Sequence, residues 1–155
     1  MNENQLLATS QMMIYRPPEV VFEALVDPVI TSDFWFTHGT GRLESGKKVT
    51  WRWDQFGVEA SIEVEKVTPG QLIRFRWPSD EENTSWRTVE ITFSSQADDS
   101  TFVEVSEKGF DKSDEHLIQT ITGQTEGWAL VLSALKAYLE HDIILSVISD
   151  HHPHE

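Results

Sequence analysis

The chain has 155 residues, with 12 basic and 26 acidic side chains and a formal net charge of −14. This charge argues against non-specific binding to nucleic acid and to anionic membranes, because both require a basic protein surface. The chain has no cysteine, which excludes disulfides, thiolate catalysis and cysteine metal sites. We find neither a signal peptide nor an apolar run long enough to cross a membrane, and we expect one cytoplasmic domain.

The first part of the chain predicts one strand followed by two short helices. Residues 6–16 are typical of a strand, and residues 17–28 predict a helix because proline suits the first helical turn. That helix ends at Asp27-Pro28, since the residue before a proline avoids helical geometry. A second short helix is predicted over residues 29–36, and it carries Trp35 near its end.

The middle of the chain has the period of two that is typical of strands with one solvated face. Residues 58–67 show it most clearly, because valine, alanine and isoleucine alternate there with glutamate and serine. The turn chemistry of Thr68-Pro69-Gly70 separates this strand from the next one. Together the pattern and the turns predict six strands, at residues 39–44, 47–56, 58–67, 71–77, 86–95 and 101–110.

A long helix is predicted over residues 114–143, where apolar residues recur at helical spacing. The strand meander requires an antiparallel sheet, and only this helix is long enough to cover its apolar face. We therefore expect an α+β fold in a single domain over residues 1–143. Residues 144–155 form a C-terminal extension, whose last residues we expect to be disordered. Its apolar part extends the helix, packs on the rim of the sheet or forms a homodimer contact.

Several segments follow one another in an order that is characteristic when taken together. They are RPPEVVFEALVDP, an aromatic residue at Trp35, GRLESG, EKVTPGQLIRFRW, TFVEVSEKGF and GWALVLSALKAYLE. In this order the chain resembles the START-like (SRPBCC) superfamily, and within it the branch named after the activator of the 90-kDa heat-shock chaperone's ATPase. The chain departs from the branch at Gly46-Lys47, where two glycines are common, and at Glu107, where histidine is common.

The resemblance implies a helix-grip fold, in which a curved antiparallel sheet wraps around the long C-terminal helix and leaves an elongated cavity. Members of the superfamily include co-chaperones, carriers of lipids and polyketides, and polyketide cyclases, so the fold alone assigns no activity. The inward-facing side chains either fill a solid core or line a cavity for a ligand, and the sequence leaves both open. The candidate cavity residues are Trp35, Trp51, Trp53, Phe75, Trp77, Val89, Ile91, Phe93, Val103, Val105, Glu107, Trp128 and Leu132.

Glu107 is a polar residue that strand parity places on the inward face. A buried carboxylate is costly unless it is paired or protonated. Glu107 is therefore either solvated at the mouth of the cavity or an anchor for a hydroxyl or amine group of a ligand. A role as general acid lacks an identifiable partner in the sequence. Arg52, Arg74 and Arg76 are predicted on the outer face, paired with glutamates of residues 58–65.

The sequence contains no catalytic or metal-binding signature such as HExxH, GxSxG, GxGxxG or a phosphate loop. His151, His152 and His154 cluster near the end, but Pro153 interrupts any helical spacing between them. We expect no catalytic residue, no metal and no cofactor. The favoured function is non-enzymatic binding of a small apolar or aromatic molecule, such as a lipid, polyketide or flavonoid. The alternatives are a chaperone-accessory role on the outer surface, which we favour less, and a polyketide cyclase-like enzyme that uses Glu107.

Overall fold

A computed structural model of the chain describes residues 6–152. The strands are β1 Ala8–Ile14, β2 His38–Gly39, β3 Lys48–Trp53, β4 Val58–Thr68, β5 Leu72–Pro78, β6 Trp86–Gln96 and β7 Ser100–Lys108. The helices are α1 Pro18–Val26, α2 Pro28–Thr31, α3 Leu117–His141 and α4 Val147–Asp150, and one turn of 3-10 helix spans Asp54–Phe56. This order confirms the predicted strand, two short helices, six strands and long helix.

The seven strands form one antiparallel sheet in the order β1-β7-β6-β5-β4-β3-β2. β1 therefore lies beside β7, and the other strands follow one another as the predicted meander. A register shift between Val64 and Lys66 interrupts the pairing of β4 with β5. Such an irregularity bends a strand and increases its twist, which helps to curve the sheet around α3.

α3 closes the core by packing an apolar stripe on one face of the curved sheet. Its buried residues recur along one side of the helix: Trp128, Val131, Leu132, Ala134 and Leu135. The helix ends at Asp142, which adopts a left-handed conformation with φ 55°. This cap turns the chain away from the helix axis, so the C-terminal extension does not lengthen α3. Within residues 6–152, no helix combines the length and apolar character that a membrane crossing requires.

α2 is shorter than the predicted helix, because it has only four residues before the chain turns. The buried hydroxyl of Thr31 donates to the carbonyls of Ala24 and Asp27 and ties α2 to α1. The aromatic residues 34–36 follow this turn, and all three are buried. Consecutive helical residues point about 100° apart, so a continued helix could not bury all three against one core. The irregular turn achieves that burial.

β2 is shorter than the strand predicted at residues 39–44, because only His38–Gly39 pair with β3. Gly39 packs so tightly that a Cβ there would lie 2.9 Å from the side chain of Pro28. Further along, Leu43 donates its N–H to the carbonyl of Val26 at the end of α1. That hydrogen bond satisfies a carbonyl that the helix leaves without a partner, and it draws the chain off the sheet.

Candidate functional site

A cleft of about 620 Å³ opens between the sheet, α3 and the C-terminal segment, which we define as residues 143–152. Its volume lies in the range of small-molecule sites. The sheet side and its connections contribute Trp35, Trp53, Phe56, Val58 and Trp77. α3 contributes Gln124, Gly127, Trp128, Leu130 and Val131, and the C-terminal segment contributes Ile148, His151 and His152.

Indole rings form the central wall of the cleft. The ring of Trp35 lies 5.3 Å from that of Trp128, 6.1 Å from Trp53 and 6.5 Å from Trp77, measured between centroids. Trp77 and Trp128 are stacked on each other, with an interplanar angle of 24°. Behind this wall, Trp51 packs edge-on against Trp35 at 4.9 Å. A wall of this kind offers broad, rigid apolar surfaces to a flat ligand.

Glu107 lies fully buried among the residues of this wall, not at its mouth. Its Oε2 accepts hydrogen bonds from Trp77 Nε1 at 3.0 Å and from Arg87 Nε at 2.8 Å. Its Oε1 accepts from Gln124 Nε2 and from Trp128 Nε1, both at 2.9 Å. Each carboxylate oxygen therefore has two donors, and the arginine compensates the buried charge.

This network determines what the indoles present to the cleft. Because the N–H groups of Trp77 and Trp128 are bonded to Glu107, these two residues offer the cleft their ring surfaces and no free donor. Arg87 is itself 14% exposed and stacks over the ring of Phe110 at 4.8 Å. From the sequence we expected Glu107 either to be solvated by water at the mouth of the cavity or to anchor a ligand. Its carboxylate is instead paired within the protein.

The structure divides the predicted cavity residues into three groups. Trp35, Trp53, Trp77 and Trp128 line the cleft. Glu107 lies in the hydrogen-bond network just described. The remaining residues do not line the cleft and pack in the closed core: Trp51, Phe75, Val89, Ile91, Phe93, Val103, Val105 and Leu132.

Part of this division arises because helices pack on the inner face of the sheet. Phe93 on β6, for example, meets the ring of Phe22 on α1 at 5.6 Å between centroids. Strand alternation identifies which side of the sheet a residue faces. It does not tell where a helix packs on that side, so it cannot separate the walls of the cleft from the solid core.

Several site residues escaped the sequence analysis, although some had a recognisable signal. Gln124 and Val131 lie four and three positions from Trp128, and Gly127 lies three and four positions from Gln124 and Val131, so these residues line one side of the helix. Gly127 opens the wall, since a Cβ at this position would meet no atom within 4 Å. Arg87 has the same strand parity as Val89, so its inward direction was also predictable.

The C-terminal segment folds over one side of the cleft. His151 Nε2 lies 3.4 Å from Glu126 Oε1 on α3. The ring of His152 meets that of Phe56 edge-on at 5.5 Å. Residues 147–152 are therefore part of the site. The disorder predicted for the last residues falls partly outside the described residues, and His154, the third histidine of the cluster, lies wholly outside them. Within residues 6–152, no group of three or more histidine and acidic side chains is arranged to hold a metal ion.

The outer face of the sheet carries ion pairs, and for Arg76, but not for Arg74 and Arg52, the partner is one of the predicted glutamates. Arg76 does pair with Glu63, at 2.7 Å, and this hydrogen bond lowers the pKa of the glutamate. Arg74 pairs instead with Glu90 on β6 at 2.8 Å. Arg52 pairs with an aspartate two residues along its own chain segment. Neighbouring strands thus supply partners that parity along one strand does not specify.

The curved antiparallel sheet that wraps a C-terminal helix, with a cleft between them, defines a helix-grip protein of the START-like (SRPBCC) kind. A family model described as "Activator of Hsp90 ATPase homolog 1-like protein" matches residues 15–140, and the chain belongs to this family. Among curated proteins, none matches the chain.

Solved structures share this fold. The chain is similar to protein SSP2350 from Staphylococcus saprophyticus, with 35% identity and a TM-score of 0.78 over 91% of this chain and 96% of that one. It is similar to the Aha1 dimer from Colwellia psychrerythraea, with 18% identity and a TM-score of 0.75 over 88% and 97% of the two chains. It is also similar to DynU16 of the dynemicin biosynthetic locus, with 21% identity and a TM-score of 0.74 over 88% and 48%.

Proposed function

We propose that the protein binds a small, flat, apolar or aromatic molecule in the cleft and does not transform it. The observation that carries this proposal is the cleft of about 620 Å³ with four indole rings in its walls. Flat apolar ligands suit such a site because their burial removes apolar surface from water on both sides.

The expected affinity is modest. A ligand of about 20 non-hydrogen atoms that gains about 0.3 kcal/mol per atom reaches about 6 kcal/mol, which is a Kd of tens of micromolar. The rigid walls favour binding, because the indoles are already packed against one another and lose little freedom. Polyketide-like and flavonoid-like molecules and lipids are the classes to screen.

Binding without chemistry is favoured over a cyclase-like reaction by the state of Glu107. General acid–base catalysis requires a group that can exchange a proton with the bound molecule. Both oxygens of this carboxylate are occupied by donors from the protein. An enzymatic role would have to break this network during each turnover.

The test uses two glycines on α3 as a matched pair. A side chain at Gly127 enters the cleft, whereas one at Gly123 does not border it, and a Cβ at either position meets open space. Gly→Leu at both sites raises helix propensity by a similar amount. We expect tryptophan fluorescence of the parent protein and of Gly123→Leu to be quenched by at least one compound of the screen. Gly127→Leu should lose this response.

Two results would contradict the proposal. The first is the absence of quenching by any compound of the three classes in the parent protein. The second is an equal response of the two leucine variants, which would place the ligand somewhere other than the cleft.

The family description favours a second candidate, a chaperone-accessory role. It would use the outer surface and would not depend on the cleft. A pull-down with Hsp90 and an assay of its ATPase activity test it, and the Gly127→Leu variant should behave as the parent protein does in both. Self-association is tested separately by the molar mass in solution, because one structural neighbour is a dimer.

A further inference from the structure

The walls of the cleft contain no permanently charged cation that could bind an acidic ligand. Among the described residues that line it, none is lysine or arginine, and the only basic side chains are those of His151 and His152. The imidazole of His151 already faces Glu126, at 3.4 Å between Nε2 and Oε1. The nearest guanidinium in the network, that of Arg87, is bound to Glu107 at 2.8 Å. The chain as a whole carries a net charge of −14, which repels anions. A carboxylate or phosphate group would therefore enter the cleft without a lysine or arginine to pair with its charge.

Gln124 presents an acceptor to the cleft. A carboxylate accepts hydrogen bonds, so the contact of 2.9 Å with Glu107 Oε1 must be made by Nε2 of the amide. The amide oxygen, Oε1, then lies on the opposite side of the group, and Gln124 lines the cleft. Within residues 6–152, no donor bonds to this oxygen.

Trp35 supplies the complementary donor. Its side chain lines the cleft and is only 8% exposed. Unlike the N–H groups of Trp77 and Trp128, its Nε1 has no acceptor in the described part of the chain. This nitrogen is not sealed in the core either, since Gln55 Oε1 is the only enclosed side-chain atom without a partner among residues 6–152. Buried indole N–H groups normally have a hydrogen-bond partner, and a ligand in the cleft can provide one.

We propose that the cleft selects a neutral, planar aromatic molecule whose hydroxyl group donates to Gln124 Oε1 and whose carbonyl oxygen accepts from Trp35 Nε1. The inference rests on the proposed binding function and names the ligand class for it. It distinguishes such molecules from fatty acids and phospholipids, which would bring a negative charge into a cleft without a lysine or arginine.

The test compares three naphthalenes of nearly equal size in the parent protein. They are 6-hydroxy-2-acetylnaphthalene, its methyl ether 6-methoxy-2-acetylnaphthalene, and 6-hydroxy-2-naphthoate. Dissociation constants are measured at pH 7 by isothermal titration calorimetry. We expect the methyl ether to bind about tenfold more weakly, which is the effect of one hydrogen bond. The naphthoate should bind at least tenfold more weakly because its charge is desolvated without compensation.

A pair of variants assigns the hydroxyl contact. In Gln124→Leu the hydroxy compound and its methyl ether should bind with about equal dissociation constants. The control Gln119→Leu, on the exposed side of α3, should keep the preference for the hydroxy compound. The ratio of the two constants is the readout, since Gln124→Leu also removes one donor from Glu107. If that variant does not fold, the three ligands in the parent protein decide the matter alone.

The possible failures are distinguishable. Equal binding of all three naphthalenes, or an unchanged hydroxyl preference in Gln124→Leu, would overturn this inference and leave the proposed binding function intact. No binding of any of the three, together with no response in the wider screen, would overturn both.

Discussion

Replacing Glu107 by glutamine should destabilise the protein by about 3–5 kcal/mol, although it changes one atom and no volume. The carboxylate accepts four hydrogen bonds, two on each oxygen. In Glu107→Gln one oxygen becomes an NH₂ group, which then faces two donors. Gln124 can turn its amide to accept from this group, but Trp128 Nε1 cannot, because an indole nitrogen only donates.

The magnitude follows from what remains unpaired. A buried indole N–H without a partner costs about 1–3 kcal/mol. Arg87 also keeps its charge after losing the opposite charge at 2.8 Å, and breaking a buried pair from one side costs about 3–5 kcal/mol in total. For a domain whose whole stability is typically about 5–15 kcal/mol, this is a large fraction.

Urea unfolding at pH 7, followed by far-UV circular dichroism, measures the effect. Glu104→Gln is the matched control, because Glu104 lies on the same strand with its side chain exposed, and it should change stability by less than about 0.5 kcal/mol. The double variant Glu107→Gln/Arg87→Met should lose less than the sum of the single losses, since neither charge is then left alone. A loss below about 1 kcal/mol in Glu107→Gln, or strictly additive losses in the double variant, would refute this account of the network.

Three further predictions concern the segment over the cleft, the end of α3 and a turn. Ending the chain after Ser146 should raise both the association and dissociation rates of a ligand in stopped-flow experiments, and unchanged rates would argue against a covering role. Burial raises the pKa of Glu140, but hydrogen bonds from Lys136 and from the Tyr15 backbone outweigh it and hold that pKa below 4.5. The ionised group thus stabilises the fold above pH 4.5. The loss of about 1 kcal/mol in Glu140→Gln at neutral pH should vanish as the pH falls through the lowered pKa, and a pH-independent loss would contradict this. Asp99→Gly should raise the free energy of unfolding, measured by urea denaturation, by about 0.5–1 kcal/mol, because Asp99 is held at φ 54°. A decrease would contradict the backbone argument.

The fold was predictable because its signals are local and repeated. The alternation in residues 58–67 and the helical spacing around Trp128 each specify an element by many side chains at once. Of the elements that were too long in the prediction, those at residues 29–36 and 39–44 are short segments whose ends depend on contacts with α1. The strand predicted at residues 47–56 ends at Trp53, where a turn of 3-10 helix begins. Tertiary contacts of this kind override weak local preferences and leave no mark in a single sequence.

The candidate site was predictable only in part. The sequence indicated that Trp53 and Trp77 face the same interior as Glu107, but not that the indole of Trp77 donates to this carboxylate. That contact depends on the register of the sheet, in which Trp77 pairs with Arg87 and Val89 pairs with Glu107. The position of residues 147–152 over the cleft depends on the left-handed cap that ends α3, which no periodicity reveals.

The most direct test of ligand binding in the cleft is a ¹H–¹⁵N NMR titration that resolves the six indole N–H signals. Four of these tryptophans line the cleft, whereas Trp86 lies elsewhere with its N–H bonded to the carbonyl of Asn83. On addition of 6-hydroxy-2-acetylnaphthalene, we predict saturable shifts of the signals of Trp35, Trp53, Trp77 and Trp128, and no shift of the Trp86 signal. Unmoved cleft signals at saturating ligand, or a shift centred on Trp86, would contradict the account.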